Sequence, residues 1–175
     1  MPARSPSPVR YAFVGGTPVG TLLLARTERG LVTVTFGERR DALLAKLRGR
    51  FGGDPIAEGG LERETAALRA YFDGRLDRFD LPLDLEAPRA TEFERAVWRA
   101  TERVGFGRLT TYGALASAIG KPGAARAVGN ALGKNPLAIV VPCHRVVASG
   151  GGIGGYTGGL RHKRTLLAIE GLRVV

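Results

Sequence analysis

One cysteine, two histidines, one tryptophan and one methionine in 175 residues rule out several kinds of protein at once. A lone cysteine closes no intramolecular disulfide, which suits a reducing compartment, and the expected location is cytoplasmic. One cysteine with only His144 and His162, and acidic residues at no metal-ligand spacing, exclude a zinc centre, so neither a metal nor a cofactor is expected. No apolar run approaches the ~20 residues of a membrane span, so no membrane partner is expected. The opening Met-Pro-Ala-Arg-Ser-Pro-Ser-Pro lacks the apolar stretch of a signal peptide and reads as a frayed tail. What remains, at 44% hydrophobic and 24% charged, is an ordinary globular composition, enough for one medium domain or two small ones.

Acidic residues are scarce in one half only. Residues 1–90 carry 14 basic against 12 acidic side chains, residues 91–175 carry 12 against 4, and these make up the net charge of +10. A polyanion partner, nucleic acid first, fits a basicity gathered in one half. The competing explanation is a general bias toward arginine, which supplies 22 of the 26 basic residues, but such a bias would not segregate.

In chain order, 10–14 and 21–25 are apolar or alternating around Gly15-Gly16-Thr17-Pro18, a hairpin pattern, and the β-branched run 31–36 follows, predicting three antiparallel strands. Helices are predicted at 41–51, with Asp41 near the N-cap, and at 61–72. The mixed charges of this half read as solvated faces without chemistry. Residues 81–90, with Pro82 and Pro88 and no period, are expected to link two domains.

Thr91 then looks like an N-cap with Glu92 and Glu94 in the first turn, and Phe93, Val97, Trp98 and Val104 form an apolar stripe. Short helices at 110–119 and 124–132, joined by Gly120-Lys121-Pro122-Gly123, outline a helix-turn-helix. The second helix is small-sided, with Arg126 its only long reach. It is either a smooth face for a minor groove or a structural helix packed on its neighbour. A last helix, 161–170, buries Leu166, Leu167 and Ile169 and ends at Gly171. Glu170 opposes that helix's dipole, so it is either paired specifically, with His144 the obvious partner, or an ordinary surface carboxylate.

The centre of interest is 137–147. Leu137 to Val141 predicts a buried strand or core segment, stopped by Pro142. Cys143 follows at once, then His144 and Arg145. A firm apolar support, a histidine and a cation able to favour a thiolate suit a nucleophile, whereas a lone cysteine is also commonly a small buried hydrophobe. Seven glycines within 148–159 read as a flexible linker, or, given Ile153, Tyr156 and Thr157 among them, as a loop whose backbone approaches a flat ligand closely.

The runs Thr-Glu-Phe-Glu-Arg-Ala-Val-Trp, Thr-Thr-Tyr-Gly-Ala-Leu-Ala, Ala-Arg-Ala-Val-Gly-Asn-Ala, Lys-Asn-Pro, Val-Pro-Cys-His-Arg-Val, Gly-Gly-Tyr-Thr-Gly-Gly and Leu-Leu-Ala-Ile-Glu-Gly, in this order across 91–171, resemble the O6-alkylguanine-DNA alkyltransferases (methylated-DNA–protein-cysteine methyltransferases). The first half resembles them more loosely, through Gly-Thr-Leu-Leu-Leu-Ala, Gly-Leu-Val-Thr-Val-Thr-Phe and Tyr-Phe-Asp-Gly. The resemblance implies a ribonuclease-H-like α/β domain over 1–86 and a mainly α, winged-helix-like DNA-binding domain over 87–175. It also implies direct-reversal DNA repair, in which a methyl or other alkyl group passes irreversibly from O6 of guanine to Cys143. O4 of thymine is left open as a second target.

The partner would be double-stranded DNA carrying O6-alkylguanine, met through its minor groove by a monomer. By resemblance, His144 is the base, working through a water. Glu170 orients it, Asn135 braces the turn, and Tyr112 hydrogen-bonds N3 of the base. The Thr157 N–H would face O6, and the carbonyls of Cys143 and Val146 would take the exocyclic amine. Tyr156 and Gly158 would line the pocket, and Arg126 would fill the stack from a surface formed by Ala124, Ala125, Ala127 and Gly129. Rival readings stay open: a non-transferring damage sensor, indifferent to Cys143→Ala; a helix-turn-helix regulator, sequence-selective and dimeric; and a cysteine hydrolase, which would turn over repeatedly.

Overall fold

The computed structural model describes residues 8–52, 55–86 and 90–174. Strands β1 (Val9–Thr17), β2 (Gly20–Thr27) and β3 (Gly30–Phe36) form the expected antiparallel meander, with Phe13 opposite Leu23 and Leu24 opposite Val34. The hairpin turn lies at Pro18-Val19. Gly15 and Gly16 fall inside β1, where the pairing slips between Val14 and Thr17. The sheet is not three-stranded: β4 (Ile56–Glu58) adds on parallel to β1, giving the order β3-β2-β1-β4. Three residues after a proline carry too little alternation to be read as a strand.

In β2, Leu22 and Leu24 pack into the larger core while Leu23 and Ala25 pack into a second cluster, which explains an unbroken apolar run. Helix α1 (Arg40–Phe51) covers the second cluster with Leu47 and Phe51. Arg39, not Asp41, occupies its N-cap and caps nothing with its side chain. Helix α2 (Glu62–Phe72) lays Leu68 and Tyr71 on the other face.

The free edge of β3 is covered twice. Leu31 N–H donates to Pro82 C=O at 2.8 Å and Asp84 N–H to Leu31 C=O at 2.9 Å, so the described part of 81–90 is stitched to the sheet rather than a free linker. Pro88 lies outside the described residues. Further along, Val34 N–H donates to Pro136 C=O at 2.8 Å and Ala138 N–H to Val34 C=O at 3.0 Å. An exposed sheet edge invites foreign strands, and here it anchors the segment that leads to Cys143.

That segment takes the second of its two expected forms, a core segment rather than a strand. After Leu137 the backbone coils back, with Val141 N–H on Leu137 C=O at 2.8 Å and Ile139 at φ 73°, a strained region for a β-branched residue. Residues 137–141 are all nearly solvent-free, so apolar burial rather than strand pairing holds them.

The C-terminal half is helical. α3 (Glu92–Glu102) opens with a full capping box between Thr91 and Glu94, a feature whose removal costs about 1 kcal/mol. The turn pair is α4 (Tyr112–Ala118) and α5 (Ala125–Gly133). Trp98 of α3 donates its indole N–H to Ala131 C=O at 2.9 Å, fixing α5 against α3. Thr110–Thr111 forms β5 rather than the first turn of α4, pairing parallel with β6 (Val146–Val147). α6 (Leu160–Ile169) is the last helix, with Glu170 as its C-cap.

Candidate active site

Cys143–Arg145 is a single 3-10 turn hung between the coiled 137–141 segment and β6. Cys143 is partly accessible and sits where two clefts meet. One, of about 380 Å³, is lined by Tyr112, Gly129, Leu132, Gly133, Gly155, Tyr156 and Thr157. That volume is within the ~300–1,000 Å³ typical of small-ligand pockets. The other, of about 490 Å³, lies toward the sheet and takes in Phe36, Asn135, Ala138, Gly158 and His162.

Asn135 braces the sulfur. Its Nδ2 lies 3.2 Å from Sγ and 2.9 Å from Val141 C=O, while its Oδ1 accepts from Leu137 N–H at 2.9 Å. Burial pushes the thiol up from its ordinary value, opposed by Asn135, the Lys163 charge and the backbone amides of Cys143 and His144. The thiol therefore rests protonated, and a base is needed.

His144 is fully buried, with Nε2 at 2.7 Å from Glu170 Oε1. Burial would raise the Glu170 carboxyl, but hydrogen bonds from His144 and Arg145, with the charges behind them, outweigh it and bring it down to about 2. Burial lowers His144. At neutral pH a carboxylate therefore faces a neutral imidazole, and since a carboxylate only accepts, Nε2 carries the hydrogen. Nδ1 is left as a lone-pair acceptor, buried and without a partner among the described residues. That is the protonation state of a general base.

Glu170 is held from several sides. Arg145 donates Nε to Oε2 at 2.8 Å and Nη2 to Oε1 at 3.0 Å, Gly107 N–H reaches Oε2 at 3.1 Å, and Tyr71 Oη donates to Oε1 at 2.8 Å. The buried carboxylate is thus no ordinary surface group. Arg145, expected to favour a thiolate, is instead spent on Glu170 and the Val104 carbonyl, and gives the sulfur no direct support.

The cation near the sulfur is Lys163, fully buried on α6, with Nζ at 2.6 Å from Val146 C=O and 3.0 Å from Gly155 C=O. Burial brings its ammonium down to about 8. Lys163, Tyr71 and Gly107 were not picked out from sequence. A lysine among the apolar positions of α6 was the one available signal.

The glycine loop is shaped around two aromatic rings. A Cβ on Gly154 would meet Tyr112 Oη at 2.9 Å, and one on Gly158 would meet the Phe36 ring at 2.7 Å. Gly155 faces open space beside the first cleft. Tyr112 Oη points at Gly155 C=O, 3.4 Å away. Among the other expected residues, Val146 is wholly buried and does not line the first cleft, and Gly158 lines only the second. On α5, Arg126 and Ala127 are exposed and Ala124, Ala125 and Gly129 half-buried, with Gly129 at the cleft wall. Among the described residues no group of three His, Cys, Asp or Glu side chains could hold a metal, and no helix is long and apolar enough to cross a membrane.

A partly accessible cysteine, next to a histidine whose Nδ1 can accept a proton, thus lies at the wall of a cleft that also borders α4 and α5, an arrangement suited to a cysteine-based transferase. Residues 9–85 match the model of the 6-O-methylguanine DNA methyltransferase ribonuclease-like domain, and residues 92–172 that of the family's DNA-binding domain. The chain therefore belongs to the 6-O-methylguanine DNA methyltransferase family. Relatives named methylated-DNA–protein-cysteine methyltransferase include one from Mycolicibacterium paratuberculosis, 45% identical over 88% of this chain and 88% of its own, and one from Methanosarcina barkeri, 43% identical over 91% and 96%. Among solved structures, Mycobacterium tuberculosis OGT in complex with DNA superposes with a TM-score of 0.79 at 40% identity, covering 93% of this chain and 92% of its own. The Pyrococcus kodakaraensis O6-methylguanine-DNA methyltransferase gives 0.68 at 29% identity, over 94% and 99%.

Proposed function

We propose that this chain repairs DNA by direct reversal, taking a methyl or other alkyl group from O6 of guanine onto Cys143 Sγ, irreversibly and once per molecule. The observation that carries this reading is the partly exposed Cys143 at the wall of the 380 Å³ cleft, beside a His144 whose Nδ1 is free to accept. The thiol proton passes to Nδ1 through a water, and the sulfur forms a bond to the alkyl carbon as the carbon–O6 bond breaks. The guanine leaves with its electron pair shared between O6 and N1, and the proton held at His144 returns through solvent to N1. The products are a thioether and ordinary guanine. Tyr112 Oη donates to N3 and the Thr157 N–H to O6, meeting charge as it develops. Asn135 and the coiled 137–141 segment hold the sulfur in line, and positioning is a large share of such a barrier.

The target atom lies inside a duplex, so its nucleotide must be turned out, at a cost of a few kcal/mol. α5 suits that task. Its small side chains let it lie close in the minor groove, and exposed Arg126 can fill the gap in the stack while the basic half, 91–175, holds phosphates in a winged-helix-like mode. The protein works as a monomer, and a thiol used once belongs in the reducing cytoplasm. Intact-protein mass after incubation with duplex DNA containing O6-methylguanine tests the reading. One added methyl, stoichiometric, without turnover and mapped to Cys143 is expected. An unmodified protein, or one that turns over, overturns it.

A further inference from the structure

We propose that Tyr71, in the N-terminal half, is a positioning residue of the transfer reaction: its hydroxyl holds Glu170 Oε1 and through it sets the orientation and basicity of His144. This rests on the reading of His144 as the base. Tyr71 sits near the end of α2 with no solvent exposure, its ring packed against Phe72, Phe79 and Phe106 at centroid distances of 5.5, 5.5 and 6.2 Å. A residue needed only for that packing would serve as well as phenylalanine. Its hydroxyl instead crosses the domain boundary to Glu170 Oε1 at 2.8 Å, and lies 3.5 Å from His144 Nε2. Burial first, then Glu170, hold the phenol above its ordinary range, so it remains a donor throughout the working pH range.

Glu170 has about four lone-pair sites and five donors: Tyr71, His144 and Arg145 Nη2 on Oε1, Arg145 Nε and the Gly107 amide on Oε2. Each donor drains charge from the oxygen it meets. Tyr71 shares Oε1 with His144, so it limits how strongly that oxygen supports an imidazolium and keeps the proton on Nε2. The other ionisable groups facing His144 are Arg145 and Lys163, both of which also oppose its protonation. Without the hydroxyl, Oε1 turns more of its charge to His144, which then protonates at higher pH and is lost as a base sooner on acidification. The imidazole is also less firmly aimed.

Single-turnover transfer from an O6-methylguanine duplex, followed from the lowest pH at which the fold persists up to about pH 8.5, tests this in wild type, Tyr71→Phe and Phe79→Leu. Wild type should show an acid limb. In Tyr71→Phe the limb should move up by about half a unit or more and the plateau fall roughly 3- to 10-fold, with duplex affinity unchanged. Phe79→Leu, which disturbs the ring cluster but spares the hydroxyl, should leave the limb in place. A limb unmoved in Tyr71→Phe, or moved as far by Phe79→Leu, overturns the proposal while leaving His144 as the base. A wild type without an acid limb overturns the reading of His144 and this proposal with it. Should Tyr71→Phe fail to fold, 3-fluorotyrosine placed at position 71, a stronger donor of nearly the same volume, should move the limb downward, and an unmoved limb overturns the proposal.

Discussion

Replacing Glu170 by glutamine keeps the shape of the side chain and removes its charge. In the native protein the carboxyl lies at about 2 against an ordinary 4.5, a gap corresponding to about 3 kcal/mol of folded-state preference for the charged form. The variant leaves the nearly buried Arg145 guanidinium without its anion, and loss of one partner from a buried pair costs ~3–5 kcal/mol, so the two routes to the magnitude agree. For a chain of this size each kcal/mol is worth ~2–4 °C, so a loss of about 3 kcal/mol in Glu170→Gln should lower Tm by about 6–12 °C at neutral pH. The native carboxyl is depressed, so its contribution is fully present above the unfolded value of 4.5 and lost as pH falls through about 2. The Tm gap between the two proteins should therefore be widest above about pH 5 and close on acidification. Glutamine can also turn its amide nitrogen toward Nε2 and leave the imidazole tautomer unfixed, so single-turnover transfer should fall by about 100-fold or more. Thermal unfolding across pH and rapid-quench transfer are the assays. Equal Tm at neutral pH, or a gap that does not change with pH, would refute the reasoning.

Cys143→Ala should bind damaged duplex about as well as wild type yet gain no mass, and a variant that still removed the adduct would point to another acceptor. Tyr112→Phe should slow transfer about 10-fold with most DNA affinity intact, because the lost hydrogen bond matters chiefly as charge develops on the departing base. Equal single-turnover rates would sink that assignment. Arg126→Ala should weaken binding to duplex more than to single-stranded substrate and reduce transfer from duplex by about 10-fold, read by comparing the two substrates, because only the duplex has a stack to fill. An equal loss on both would mean that Arg126 is a plain phosphate contact.

The helices and the meander of this fold were legible because their signals are local. Thr91 and Glu94 lie three apart in a capping box, and β2 and β3 carry unbroken β-branched or apolar runs at 21–25 and 31–36. What escaped was decided by distant contacts. The run 137–141 was open to a strand or a core segment, and contacts chose the latter: β3 is met only at its start, and Ile139 then turns the chain away. β4 exists because β1 offers it an edge. In the site, Cys143, His144 and Glu170 stood out by type and placement. Tyr71, 99 positions from Glu170 along the chain, carried no such mark, since an aromatic on an amphipathic helix reads as core. It is core, and it also carries a hydroxyl that reaches the far domain. Arg145 shows the converse error, because adjacency to a cysteine suggested support for a thiolate that the guanidinium spends on Glu170.

A protonated resting thiol is the more effective design here, although it looks like the weaker nucleophile. Ionising a thiol of ordinary acidity gains only about tenfold at neutral pH, and lowering its pKa by roughly two units returns most of that through a Brønsted slope of about 0.4–0.5. Burial and the neutral His144 take the other route. On the proposed reading the sulfur keeps the nucleophilicity of an ordinary thiol, and its proton passes to a base already fixed in tautomer by Glu170. The choice has a second consequence for a protein consumed by one reaction. Oxidation follows thiolate character and exposure, so an acceptor ionised at rest would be lost to oxidants before meeting its lesion. A proton kept on the resting sulfur conserves the one thiol the chain possesses.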